Sequence, residues 1–156
     1  MGTNNITRML DASRIPYALY ETEPIKLGAV EVADILGVPP EDVYKTIVVK
    51  REGPGKPILA VIPGPKEVNT KKLAACLDEK KVHVTTMKEA ESITRLQTGG
   101  ISPLALMHKG FQVILDQSAA EKPAIFVSAG QRGMQVRLAP GDMASLCSAQ
   151  FADITI

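Results

Sequence analysis

The sequence predicts an α/β domain of the α+β kind, with a mixed, largely antiparallel sheet rather than a doubly wound parallel one. Three observations carry that prediction. About seven short runs read as strands from their β-branched content and alternation. About four or five amphipathic stretches between them carry helical spacing. Tight loops rich in Gly or Pro, at 52–55 and 129–133, join neighbouring strand runs as hairpins, whereas parallel neighbours would need a long crossover. At 156 residues, 45% of them apolar and 22% charged, the chain is expected to form one domain over 1–156 with a real core.

Residues 4–14 read as a helix with Ile6, Met9 and Leu10 on one face, closed by Ile15-Pro16. Residues 17–22 alternate as a strand. A helix over 29–36 ends at Gly37, where a left-handed C-terminal residue is expected. Pro39-Pro40 turns the chain into the strand 44–50, and 57–62 returns as its hairpin partner. Asn69 or Thr70 caps a helix running to Leu77. After a short strand at 82–85, Thr86 and Glu89 form a capping box for a helix from Met87 to Leu96. Strands follow at 111–115, 124–128 and 134–138. A last helix starts at Pro140, and the tail 151–154 is expected to dock on the core.

Composition removes several function classes. There is no Trp and only 4% aromatic content, which disfavours a stacking platform for single-stranded nucleic acid. Net charge is +1. The charge is uneven: residues 1–43 hold 3 basic against 7 acidic side chains, and 44–72 hold 7 basic against 2 acidic. Lys50, Arg51, Lys56, Lys71 and Lys72 in that second stretch are candidates for phosphate contact, though they also suit a solvated face. Cys76 and Cys147 sit in apolar helical patterns and read as buried thiols without a disulfide. His83 falls in an alternating strand and His108 at a helix end, neither with a partner at metal-ligand spacing, so no metal and no cofactor is expected. No secretory leader, membrane span or lipidation motif is legible, so a cytoplasmic protein is expected. Neither a phosphate-binding loop nor a G-x-S-x-G elbow occurs.

Two features invite chemistry. Gly99-Gly100-Ile101-Ser102-Pro103-Leu104 combines a backbone open to close approach with a stiff proline. Such a loop presents N–H groups to an anion or a polarised carbonyl, although a plain turn fits it too. Lys45 opens an otherwise apolar strand and must face either solvent or a cleft. In a cleft it would pair with a phosphate or polarise an ester carbonyl.

Taken together, Val43–Val48, Gly99–Leu104, Val127-Ser-Ala-Gly-Gln-Arg-Gly133 and Phe151–Ile154 resemble the YbaK/EbsC family of Cys-tRNA(Pro) deacylases, relatives of the prolyl-tRNA synthetase editing domain. The four motifs stand in register over nearly the whole chain. The resemblance implies a barrel-like sheet flanked by helices and an enzyme of translation fidelity. That enzyme would remove cysteine from the aminoacylated 3′ end of tRNA(Pro), with prolyl-tRNA synthetase as a partner. It implies catalytic roles for Lys45, Gly99 and Gly100. Tyr20, Thr46, Ile101, Ser102, Pro103, Ser128 and Gln135 would line the aminoacyl pocket. It also implies that the substrate's own thiol attacks the ester.

The chain departs from the family pattern at Gln135, where an acidic residue is expected, and in Glu23–Gly28 after Tyr20. Two other readings stay open: a deacylase for Ala-, Ser- or Thr-charged tRNA, and a non-catalytic module that binds tRNA ends or a synthetase.

Overall fold

A computed structural model describes residues 4–156. In chain order the elements are α1 (Asn5–Ala12), β1 (Tyr17–Glu21), α2 (Ala29–Leu36), β2 (Tyr44–Arg51), β3 (Ile58–Pro63), α3 (Thr70–Cys76), β4 (Val82–Val84) and α4 (Met87–Thr94). They continue as β5 (Gln112–Asp116), β6 (Ile125–Ser128), β7 (Met134–Leu138), α5 (Pro140–Cys147) and β8 (Gln150–Ala152). Short 3-10 turns occupy Pro40–Asp42, Pro103–Leu106 and Gln117–Glu121. No helix among the described residues is long and apolar enough to cross a membrane.

Local chemistry set the helix ends. The Asn4 side chain accepts from the Ile6 and Thr7 N–H groups, and Asn69 accepts from Lys72 N. Thr86 and Glu89 form the expected reciprocal box, and Gly37 closes α2 with φ +69°. Lys50 also bonds Glu89, and together these donors hold the Glu89 carboxyl down at about 2.

The strands form two sheets instead of one. The larger has the order β4-β2-β3-β5-β8, antiparallel through β4, β2 and β3 and parallel from β3 to β8. The smaller, β1-β7-β6, is wholly antiparallel. They meet at a corner through one parallel bridge, Val43 to Phe126, so the mixed sheet bends like a barrel wall without closing. The tail, expected only to dock, is an edge strand beside β5.

Strand β3 is buried on both faces, and its alternation divides the core. Leu59 and Val61 point into the main core with Leu10, Leu115, Ile125, Val136 and Met143. Ile58, Ala60 and Ile62 point the other way, against Leu73 of α3, Ile114 and Ile154. A third cluster, Val32, Ala33, Val43 and Phe126, seats α2 on the corner between the sheets. That corner is where a cavity opens.

Candidate active site

The cavity, about 200 Å³, is enclosed by four pieces of chain: the segment 27–29 leading into α2, the first residues of β2, the loop 98–101, and Ser128 with Gln135 from β6 and β7. Ser128 and Gln135 face one another across the β6–β7 ladder, which brings positions seven apart in sequence to one spot. A larger open groove of about 440 Å³ runs between the start of α1 and His108-Lys109. The smaller cavity is the chemical one, because it combines a buried lysine stem, unpartnered main-chain donors and few competing charges.

Lys45 sits at its mouth, its side chain 27% exposed and its Nζ 3.7 Å from Glu67 Oε1. Neighbouring Thr46 lines the same cavity. Gly99 carries φ +94°, and a Cβ there would lie 3.5 Å from Arg132 Cγ and 3.6 Å from the Leu27 main chain. Among the described residues no acceptor engages the N–H of Gly99 or of Ile101, and both residues line the cavity. Gln135 is only 5% exposed, and its amide likewise has no side-chain partner. The Ser128 hydroxyl accepts from Gly130 N at 3.2 Å, which leaves its own proton available.

Six of the ten pocket residues expected from sequence therefore meet: Lys45, Thr46, Gly99, Ile101, Ser128 and Gln135. The other four stand behind the wall. Gly100 backs onto the Gln131–Arg132 main chain, so closely that a Cβ would fall 2.9 Å from Gln131 Cα. Ser102 is fully buried and its Oγ accepts from Leu104 N, and Pro103 begins the following 3-10 turn. Tyr20 packs edge-on against Phe126, ring centroids 5.2 Å apart, and pairs with Gln135 through the sheet.

Sequence reasoning missed the apolar lining from Leu27, Ala29, Val32 and Val43. Nothing in one sequence separates those residues from ordinary core. It also missed how the loop is held. Glu91 Oε2 accepts from Thr98 N at 2.7 Å, and Arg132 Nε donates to the Thr98 carbonyl at 2.7 Å. The Thr98 N–H bond holds the Glu91 carboxyl below the usual carboxylate range, helped by the charges of Arg132 and Lys26.

The candidate phosphate contacts are largely answered from within the chain. Lys50 bonds Glu89. Arg51 meets Glu79 at 2.8 Å and also bonds Gln112. Lys72 meets Asp153 at 2.9 Å. Among the described residues Lys56 and Lys71 have no carboxylate partner, nor does Lys66. Lys50 lies five residues up β2 from Lys45, about 17 Å along the strand.

His83 pairs with Glu52 at 2.8 Å on the surface, and neither histidine lines the cavity. Burial pushes the Cys147 thiol up to about 12 and raises that of Cys76, and neither sulfur reaches the cavity. Among the described residues no three His, Cys, Asp or Glu side chains are grouped to hold a metal. The arrangement can neutralise and orient an anion or a polarised carbonyl. Lys45 and Tyr44 are the ionisable side chains among the described residues that line the cavity, and no Cys, His, Asp or Glu does.

A profile of the aminoacyl-tRNA editing domain matches residues 23–146, a span that includes every wall of this cavity. The chain belongs to the aminoacyl-tRNA editing domain family. This editing domain is 41% identical over 153 residues to EbsC of Enterococcus faecalis, an inferred Cys-tRNA(Pro)/Cys-tRNA(Cys) deacylase, with 97% of this chain and 92% of that protein covered. It is 29% identical over 116 residues to the proline–tRNA ligase of Fervidobacterium nodosum, covering 66% of this chain and 20% of the ligase.

Among solved structures, the editing domain superposes on the hypothetical protein APE2540 with a TM-score of 0.88, 21% identity, and coverage of 98% of this chain and 100% of that one. It also superposes on an inferred trans-editing enzyme for prolyl-tRNA synthetase with a TM-score of 0.77, 19% identity, and 99% of both chains covered. At those identities the two superpositions establish the fold.

Proposed function

We propose that this protein, with residues 1–156 acting as one unit, is a trans-editing deacylase that removes cysteine from mischarged tRNA(Pro), working beside prolyl-tRNA synthetase. One observation carries the reading: Lys45, Gly99 and Ile101, the last two with N–H groups that no described acceptor engages, line a single small cavity that no Cys, His, Asp or Glu side chain lines. An aminoacyl ester is already activated. Holding it in place and stabilising an oxyanion supply most of what its cleavage needs. The kinship to EbsC and to a proline–tRNA ligase supports the choice of tRNA and of partner.

The missing nucleophile is supplied by the substrate. The cysteine thiol loses its proton to solvent, and the thiolate attacks the carbonyl carbon of its own ester. A carbon–sulfur bond forms, and the carbonyl pair moves onto oxygen, facing the Gly99 and Ile101 N–H groups. Collapse of that oxyanion breaks the bond to the ribose oxygen, which takes a proton and leaves as uncharged tRNA. The product is a four-membered cyclic thioester. Lys45 favours the thiolate and the oxyanion by charge. Gln135, neutral where the family pattern is acidic, holds polar groups of the amino acid without adding charge.

A panel of charged tRNA(Pro) tests this. Cys-tRNA(Pro) should be cleaved well, and Ala-, Ser- and S-methylcysteinyl-tRNA(Pro) poorly, although the last should still bind. Efficient cleavage of the alanyl or S-methyl ester would replace the thiol by an activated water. Binding of Cys-tRNA(Pro) without cleavage would make the protein a binding module.

A further inference from the structure

We infer that Arg132 is a positioning residue that fixes the direction of the oxyanion donor, an inference that rests on the functional reading above. A trans peptide points its C=O and N–H to opposite sides. The peptide joining Thr98 to Gly99 has its carbonyl bonded to Arg132 Nε at 2.7 Å. Its other end, the Gly99 N–H, therefore points away from Arg132. Thr98 and Gly99 both line the cavity and Arg132 does not; with the carbonyl turned to Arg132, we place the N–H on the cavity side.

This peptide has an alternative. At φ +94°, Gly99 is in the conformation that only glycine holds easily. Rotating the 98–99 peptide by half a turn would bring its φ to about −90°, an ordinary value for any residue. The carbonyl would then face the cavity and repel an oxyanion, while the N–H faced Arg132. A guanidinium has donors only and no acceptor. Arg132 therefore stabilises the functional orientation and disfavours the inverted one. Its charge also polarises the peptide it grips, which makes the Gly99 N–H a stronger donor. Glu91, bonded to Thr98 N at 2.7 Å, fixes the preceding peptide from the other side and leaves the 98–99 unit as the free hinge. The grip spans 34 residues of sequence, so it exists only in the folded chain.

The test pairs a crystal structure of Arg132→Ala with steady-state kinetics on Cys-tRNA(Pro). The expected structure has Gly99 φ near −90°. The expected kinetics show kcat lowered roughly 10- to 100-fold, short of the ~10²–10³ for outright loss of one oxyanion donor, with KM nearly unchanged. Arg132→Lys keeps a cationic donor and should recover most of kcat. Gly99→Ala favours the same inverted peptide, so Gly99→Ala combined with Arg132→Ala should cost no more than the worse single change.

A positive Gly99 φ in Arg132→Ala overturns the inference. So does an unaltered kcat with the peptide inverted, or multiplication of the two losses. Should Arg132→Ala fail to fold, the Arg132→Lys recovery and the kinetics of Gly99→Ala with Arg132→Lys decide it in the same way. If the wild-type protein cleaves none of the charged tRNAs, the functional reading falls, and Gly99 φ in the Arg132→Ala structure alone decides the positioning claim.

Discussion

Replacing Lys45 by alanine separates electrostatic stabilisation from folding, because the two effects differ greatly in size. A unit charge about 4 Å from a developing oxyanion is worth roughly 4 kcal/mol at an effective dielectric near 20. Two features of the site reduce that figure. The lysine side chain is 27% exposed, and Glu67 stands 3.7 Å from Nζ and offsets part of its field. What remains is about 1.5–3 kcal/mol, or roughly a 10- to 10²-fold loss in kcat/KM.

Stability should hardly change. The Lys45–Glu67 pair is open on the glutamate side, whose side chain is 76% exposed, and pairs of that kind contribute about 0–1 kcal/mol. For a chain of this length that corresponds to a Tm change of roughly 4 °C or less. Deacylation of Cys-tRNA(Pro) under single-turnover conditions, beside thermal unfolding of the same preparations, gives both numbers. Glu67→Gln is the matching control: it frees Lys45 and should leave the rate equal or raise it. A Lys45→Ala protein that melts normally and deacylates within about threefold of wild type would refute the electrostatic argument.

Other predictions follow from charge and burial. Because Lys50, Arg51 and Lys72 already hold carboxylates, tRNA affinity should depend on salt through few cations, Lys56, Lys66 and Lys71 foremost. A log–log slope of roughly −2 to −3 is expected in filter binding, and a flat response would remove that face from the interface. Burial raises both the Tyr44 phenol and the Cys147 thiol to about 12, from ordinary values of 10 and 9. Both folded-state values lie above the unfolded ones, so this stability is complete below pH 9 and is lost as pH rises towards 12. Tm should fall steadily over that window and Cys147→Ala should flatten its first part. A Tm constant from pH 9 to 11 would show that the two groups are hydrated.

The parts of the fold that were legible in sequence are those decided within a few residues. Asn69, Thr86 with Glu89, and Gly37 each end a helix through bonds three to five positions long, and each stands where the pattern placed it. The alternation in β2, β6 and β7 likewise marks which side chains share a face. The division into two sheets was not legible, because it depends on a single long-range bridge between Val43 and Phe126. Strand β8 was invisible for a similar reason: Gln150–Ala152 has weak strand character and becomes a strand by lying beside β5. At the candidate site, Lys45 and Gly99 stood out because each breaks a local pattern. Arg132 and Glu91 did not, since a surface-type charge gives no sign that it will grip a main-chain group elsewhere.

The placement of β8 has a consequence for synthesis. Ile114 and Leu115 of β5 are buried, and among the described residues the strand beside them on one side is β8, which is made after every other described strand. Until residues 150–152 emerge from the ribosome, that apolar edge is an open template for pairing with other chains. A nascent or prematurely terminated chain ending near Cys147 carries every residue of the cavity but not its edge guard. Its fate then depends on local protein concentration and chaperone access rather than on the chemistry it encodes.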